Sequence, residues 1–179
     1  MYRIRSKLFL VLLSASTQAL PASPSPTAQP DPFSLSQPQI INVTAKKNIR
    51  VVYDIKDDVI EAGIGKGLYY VRGLLEAYNA QGVPDKNLKI SVVLHGPTVY
   101  WMLNESTYRQ YKNDEFDFNP NERVLHELLE HGVSVEVCNL TLKGKGWSAY
   151  DLMPGVKVVH DAYTRIIDLQ QQGYAYIRF

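Results

Sequence analysis

Cysteine is almost absent: the 179-residue chain has one, Cys138. A single cysteine cannot close an internal disulfide, so the fold must rest on its apolar core even in an oxidising compartment. In an exported protein such a residue has three explanations, which are burial, pairing between chains, or reactivity. A phosphate fingerprint is also missing. Gly63-Ile-Gly-Lys-Gly67 is neither the dinucleotide-binding pattern nor a P-loop, which closes on Gly-Lys-Ser/Thr. It reads as a helix entry that lets backbone approach a neighbouring loop, with Lys66 lining a pocket as the lesser role. There is no apolar run of the roughly 20 residues that a membrane span requires.

What stands at the start is shorter. Arg3, Arg5 and Lys7 precede the apolar stretch Leu8-Phe-Leu-Val-Leu-Leu13, and Ser14 to Ala22 is small and polar. This order describes a secretory signal peptide over residues 1–22, with an uncleaved anchor as the alternative. Three of the 19 basic groups and none of the 18 acidic ones fall in that segment, so the remainder carries a net charge of −2. No basic stripe is left for nucleic acid, and no polybasic cluster for a lipid surface. The mature protein is expected to be periplasmic and free of a stable membrane span.

Pro, Ser and Gln dominate Pro21 to Pro38 without periodicity, so residues 23–46 read as a disordered linker. Residues 47–179 then alternate strand-like and helix-like segments. Strands are expected at Ile49–Asp54, Leu88–Leu94, Val133–Cys138, Val156–Val159 and Tyr174–Arg178. Helices are expected at Ile64–Gln81, from Val99, after the Asn119-Pro120 cap, from Ser148 to Met153, and after Asp161. Tyr108 to Phe118 has no clean period and reads as a surface excursion. Parallel neighbours need crossover connections, so one three-layer α/β domain with a mostly parallel five-stranded sheet is the economical architecture.

Ligands of such sheets collect beyond the carboxyl ends of the strands. Cys138 stands there, followed by a small loop, Asn139 to Gly146, that carries Lys143 and Lys145. Those charges and the loop's N–H groups would favour the nucleophilic thiolate; the plain alternative is a buried small hydrophobe. His95, in His95-Gly96-Pro97, holds the matching place after its own strand. It would assist Cys138 if the two strands are neighbours, or else serve as a turn histidine bonded to backbone. His126-Glu-Leu-Leu-Glu-His131 does not make a zinc-protease helix, because its histidines are five rather than four apart and diverge around the helix. No metal site follows from the sequence.

Four stretches together are informative: Val93-Leu-His-Gly-Pro97, Leu128-Leu-Glu-His-Gly132, Val135-Glu-Val-Cys-Asn139 with Leu142 to Gly146, and Asp151-Leu-Met-Pro-Gly155 continuing to Gln172-Gly-Tyr-Ala-Tyr176. On these the chain resembles the DsrE/DsrF-like family, small α/β proteins of the YchN-like, flavodoxin-like type that include sulfur-relay subunits. The resemblance implies a persulfide-carrying Cys138. Beside it, the residues themselves suggest His95 in the reacting centre and Lys143 and Lys145 stabilising the anionic sulfur, with Gly96 making the bend and lining the same substrate site. It further implies a homo-oligomer (trimer or hexamer). No cofactor is expected, and sulfur donor and acceptor proteins are expected as partners, though the export signal separates them from those of the cytoplasmic relay proteins. A sulfurtransferase or sulfur carrier is one reading. A non-catalytic oligomeric binding module with a structural Cys138 is the other.

Overall fold

Alternation along the strands decides how the molecule is layered. In β1 (Ile49–Ile55), Val51, Tyr53 and Ile55 join one core cluster, whereas Val52 joins another on the opposite face. The split recurs in β4 (Leu88–Leu94), where Ile90, Val92 and Leu94 oppose Val93. It recurs again in β5 (Ser134–Cys138), where Val135 and Val137 oppose Cys138. Burial on both faces is what gives these strands their near-continuous apolar character. The structure, a computed structural model, describes residues 39–179. The expected signal peptide and most of the expected linker lie outside the described residues.

With β6 (Lys157–Val159) and β7 (Ala175–Arg178), the strands form a five-stranded sheet in the order β6-β5-β4-β1-β7. Each pairing is parallel, as the alternating pattern implied. Helices α1 (Lys66–Ala80) and α3 (Glu122–Glu130) bury Leu68, Val71, Leu75, Val124, Leu125 and Leu128 in the larger cluster. The opposite face is covered by α5 (Ala162–Gln171), through Ala162, Ile166 and Leu169. Alternation puts Asp54, Ser91 and Glu136 on this thinner side, and all three are buried.

Glu136, 2% exposed, is fully provided for there. It accepts from Ser91 Oγ and Ser134 Oγ at 2.9 Å each, and from Arg165 Nε of α5 at 2.7 Å. Burial alone would raise its pKa, but the Arg165, Ser91 and Ser134 hydrogen bonds and the guanidinium charge hold it below the usual carboxylate value.

The structure departs from the expected elements in four places. Ile64 and Gly65, expected to begin α1, instead form β3 (Ile64–Gly65), which pairs with β2 (Ile60–Glu61) in a two-stranded hairpin. A Cβ on Gly65 would lie 2.4 Å from the Trp101 ring, so the glycine permits the close approach expected of that segment. The Tyr108–Phe118 excursion contains a helix, α2 (Glu105–Lys112), capped by the Asn104 side chain accepting from the Thr107 N–H at 2.9 Å. Only Thr107 and Tyr108 of α2 are buried, too few to make a period visible. Asn119 does not cap α3; it is buried, donates to the carbonyls of Trp101 and Leu103, and leaves Asn121 at the cap. The loop expected after Cys138 is a short helix, α4 (Asn139–Gly144). At the linker end, Val43 N–H and Lys46 Nζ already donate to Gln81 of the domain.

Candidate functional site

Two loops at the carboxyl edge of the sheet bring Cys138 and His95 side by side. The register of β4 and β5 pairs Leu94 with Val137, so the next positions along are His95 and Cys138. Adjacent strands are about 4.8 Å apart, and both residues keep extended backbone, at φ −152° for His95 and −69° for Cys138. Two-residue alternation from Val93 and Glu136 directs both side chains to the α5 face.

Cys138 is 4% exposed and shares an apolar cluster with Val52, Val93, Ala162, Ile166 and Leu169. The solvent access expected of a strand-end thiol is therefore not found in the single chain, because the start of α5 lies over this edge. His95 is 5% exposed. Its backbone N–H donates to Ile55 O at 3.1 Å, which extends the β1–β4 ladder by one bond. Its Nε2 lies 2.7 Å from Asp54 Oδ1, and its ring meets Tyr163 edge-on at 5.1 Å between centroids.

Asp54 anchors the arrangement. Besides His95, it accepts from the Tyr176 hydroxyl of β7 at 2.6 Å on Oδ2. Burial pushes its pKa upward, but the hydrogen bonds from His95 and Tyr176, with the charges of His95 and Arg178, outweigh it and keep the carboxyl below its ordinary value. The group is thus an anion at neutral pH, and it can only accept in its bond with Nε2 of His95. The Tyr176 phenol is raised to about 12, by burial first and then by the Asp54 hydrogen bond and charge. Among the described residues His95 Nδ1 has no hydrogen-bond partner, and no fully buried side-chain nitrogen or oxygen is left without one.

The remaining expected site residues are distributed differently. Gly96, at φ +62° in the left-handed region, turns the chain sharply after His95. Its N–H is already engaged, donating to Thr141 Oγ1 of α4 at 3.2 Å. Lys143 and Lys145 stand at the carboxyl end of α4, exposed and without an ion pair among the described residues. At 1.5 Å of rise per residue, Lys143 is about 7 Å further along the axis than Cys138. The side chain of Lys56 passes the same turn, its Cγ 3.6 Å from where a Cβ on Gly96 would stand. Asp54, Tyr176 and Lys56 were not singled out from the sequence. An acidic residue closing the apolar strand Ile49–Asp54 was the one available signal.

A family model described as the DsrE/DsrF-like family matches residues 65–179. The chain belongs to the DsrE/DsrF-like family. No curated protein matches it. Among solved structures it is similar to the protein of unknown function MTH1491 from Methanobacterium thermoautotrophicum, with 27% identity and a TM-score of 0.55, over 73% of this chain and 99% of that one. It is also similar in fold to the ychN protein from E. coli, with 16% identity and a TM-score of 0.53, over 73% of this chain and 100% of that one. The mostly parallel α/β fold expected from the sequence is thereby established for the domain, with the chain's single thiol at the carboxyl edge of its sheet.

Proposed function

We propose that this DsrE/DsrF-like protein carries sulfane sulfur on Cys138 and passes it to an acceptor thiol. The observation behind this reading is the placement of the only thiol in register with a histidine whose second nitrogen is held by a buried carboxylate. His95 Nδ1 takes the thiol proton, and the thiolate attacks the outer sulfur of a donor persulfide. One S–S bond forms on Cys138, the donor's S–S bond breaks, and the donor leaves as a thiolate. No external oxidant or reductant is consumed. Lys56 beside the Gly96 turn, together with Lys143 and Lys145 at the end of α4, supplies positive charge to this edge of the sheet.

Export to the periplasm rests on residues 1–22, and the expected trimer or hexamer is supported by exposed Tyr163 and Ile167 on α5. Donor and acceptor proteins would dock at the α5 edge, where burial of Cys138 requires the start of α5 to yield.

Intact-mass measurement after incubation with polysulfide tests the reading. A gain of about 32 Da, one sulfur atom, is expected on the wild type and not on Cys138→Ala. A thiol that stays unmodified would overturn it. The burial of Cys138 favours a second reading, an oligomeric binding module in which this residue only packs. That reading expects Cys138→Ala to leave function intact.

A further inference from the structure

We propose that Asp54 is the positioning residue of this site, acting through His95 by locking the imidazole proton on Nε2 and so reserving Nδ1 as the basic nitrogen for Cys138. The inference rests on the sulfur-carrier reading for its purpose, but its physical content is a statement about one imidazole.

A neutral imidazole has two tautomers, and the partner of one nitrogen decides which is present. Here the choice is one-sided. Nε2 faces a buried carboxylate at 2.7 Å, and only a protonated nitrogen can bond to it. The carboxylate cannot swing away, because Tyr176 holds its second oxygen at 2.6 Å and the β1–β7 register fixes both residues on one face, pairing Val52 with Tyr176 and Asp54 with Arg178. The ring cannot rotate freely either. Its backbone is tied to Ile55 O, and the Tyr163 ring leans on it from α5. The groups that can alter its charge are Asp54 from β1, Lys56 just after that strand, Cys138 from β5, Tyr163 from α5, and Tyr176 and Arg178 acting through Asp54 from β7. Of these only Asp54 bonds directly to the imidazole. Asp54 also lies outside the residues matched by the family model, which begin at Gly65. The device is thus built by a strand that the match does not include.

Proton transfer from Cys138 then makes an imidazolium whose new charge sits beside an existing anion. That favours the thiolate and extends its reactivity to lower pH. Asp54 touches neither sulfur nor donor, so its removal shifts the pH at which the thiol reacts.

The test uses the full chain with two readouts. Nitrogen-15 NMR of the His95 side chain reports the tautomer, and the rate of Cys138 alkylation by iodoacetamide across pH reports the thiolate. In the wild type the Nε2–H tautomer is expected. In Asp54→Asn, where the amide can offer a donor to Nε2, the expected results are a mixed or Nδ1–H tautomer and alkylation at pH 7 slower by about tenfold or more. Wild-type alkylation kinetics in Asp54→Asn, with the tautomer unchanged, would overturn the proposal. An Nδ1–H tautomer in the wild type would also overturn it, and that measurement needs no variant to fold. If wild-type Cys138 resists alkylation while the Nε2–H tautomer is present and lost in Asp54→Asn, the sulfur-carrier reading fails and the positioning role of Asp54 stands.

Discussion

At the scale of single residues, the neighbourhood of Cys138 sets two demands against each other. Its side chain belongs to an apolar cluster under α5, which suits a neutral thiol. The imidazole in register beside it, braced by Asp54, suits a thiolate. Removing the sulfur from such a site leaves a small void, so Cys138→Ala is expected to lower stability by only about 1–2 kcal/mol in chemical denaturation. Loss of sulfur uptake with the fold intact would therefore report on chemistry. A loss of several kcal/mol would mark a packing role instead. The position of Cys138 and His95 at successive strand ends was legible in the sequence, because both follow apolar runs and precede turn or loop residues. Asp54 and Tyr176 were not, since their partnership depends on β1 and β7 being neighbours, and strand order is not written in local periodicity.

Among elements, α5 is the one that decides access to the site, and it is fastened to the sheet by an ion pair as well as by apolar contact. Arg165 reaches Glu136 with Nε at 2.7 Å and Nη2 at 3.0 Å, and reaches Asp168 at 2.8 Å. Replacing Arg165 with Met strands the Glu136 charge in a buried position, and a loss on the order of 3 kcal/mol is expected in denaturant titration. The pH dependence has a definite sign. Glu136 and Asp54 both have folded pKa values below their ordinary 4.5 and 3.8, so the stability they contribute is complete above those values. It is lost as pH falls through the lower, folded values. Wild-type stability should hold down to about pH 5 and then decline, whereas Glu136→Gln should flatten that acid limb. A limb of unchanged slope in Glu136→Gln would contradict this account. The five strands and the long helices were readable from the sequence because each has a sustained pattern. The β2–β3 hairpin, α2 and α4 escaped because two-residue strands and helices with one or two buried side chains leave almost no pattern to detect.

For the molecule as a whole, exposed apolar side chains on α5 and on the edge strand β7, among them Tyr163, Ile167 and Tyr176, make that side the proposed surface for assembly. Sedimentation of the mature protein is expected to give the mass of a trimer or hexamer, and a strictly monomeric species would remove that part of the proposal. The parallel architecture and the family were both accessible from sequence, since alternation of strands and helices is a whole-chain property. Burial of the thiol stood in the sequence only as one of two alternatives, because the choice depends on where α5 comes to rest. Carriage of sulfur is the claim on which the functional account depends, and transfer tests it more directly than uptake does. The decisive measurement is to load the protein with radiolabelled sulfane sulfur, remove the donor, and add a small acceptor thiol. The account predicts that label leaves Cys138 and appears on the acceptor, in an amount not exceeding one sulfur per chain. Label that is never acquired, or that Cys138→Ala acquires and releases equally well, would contradict it.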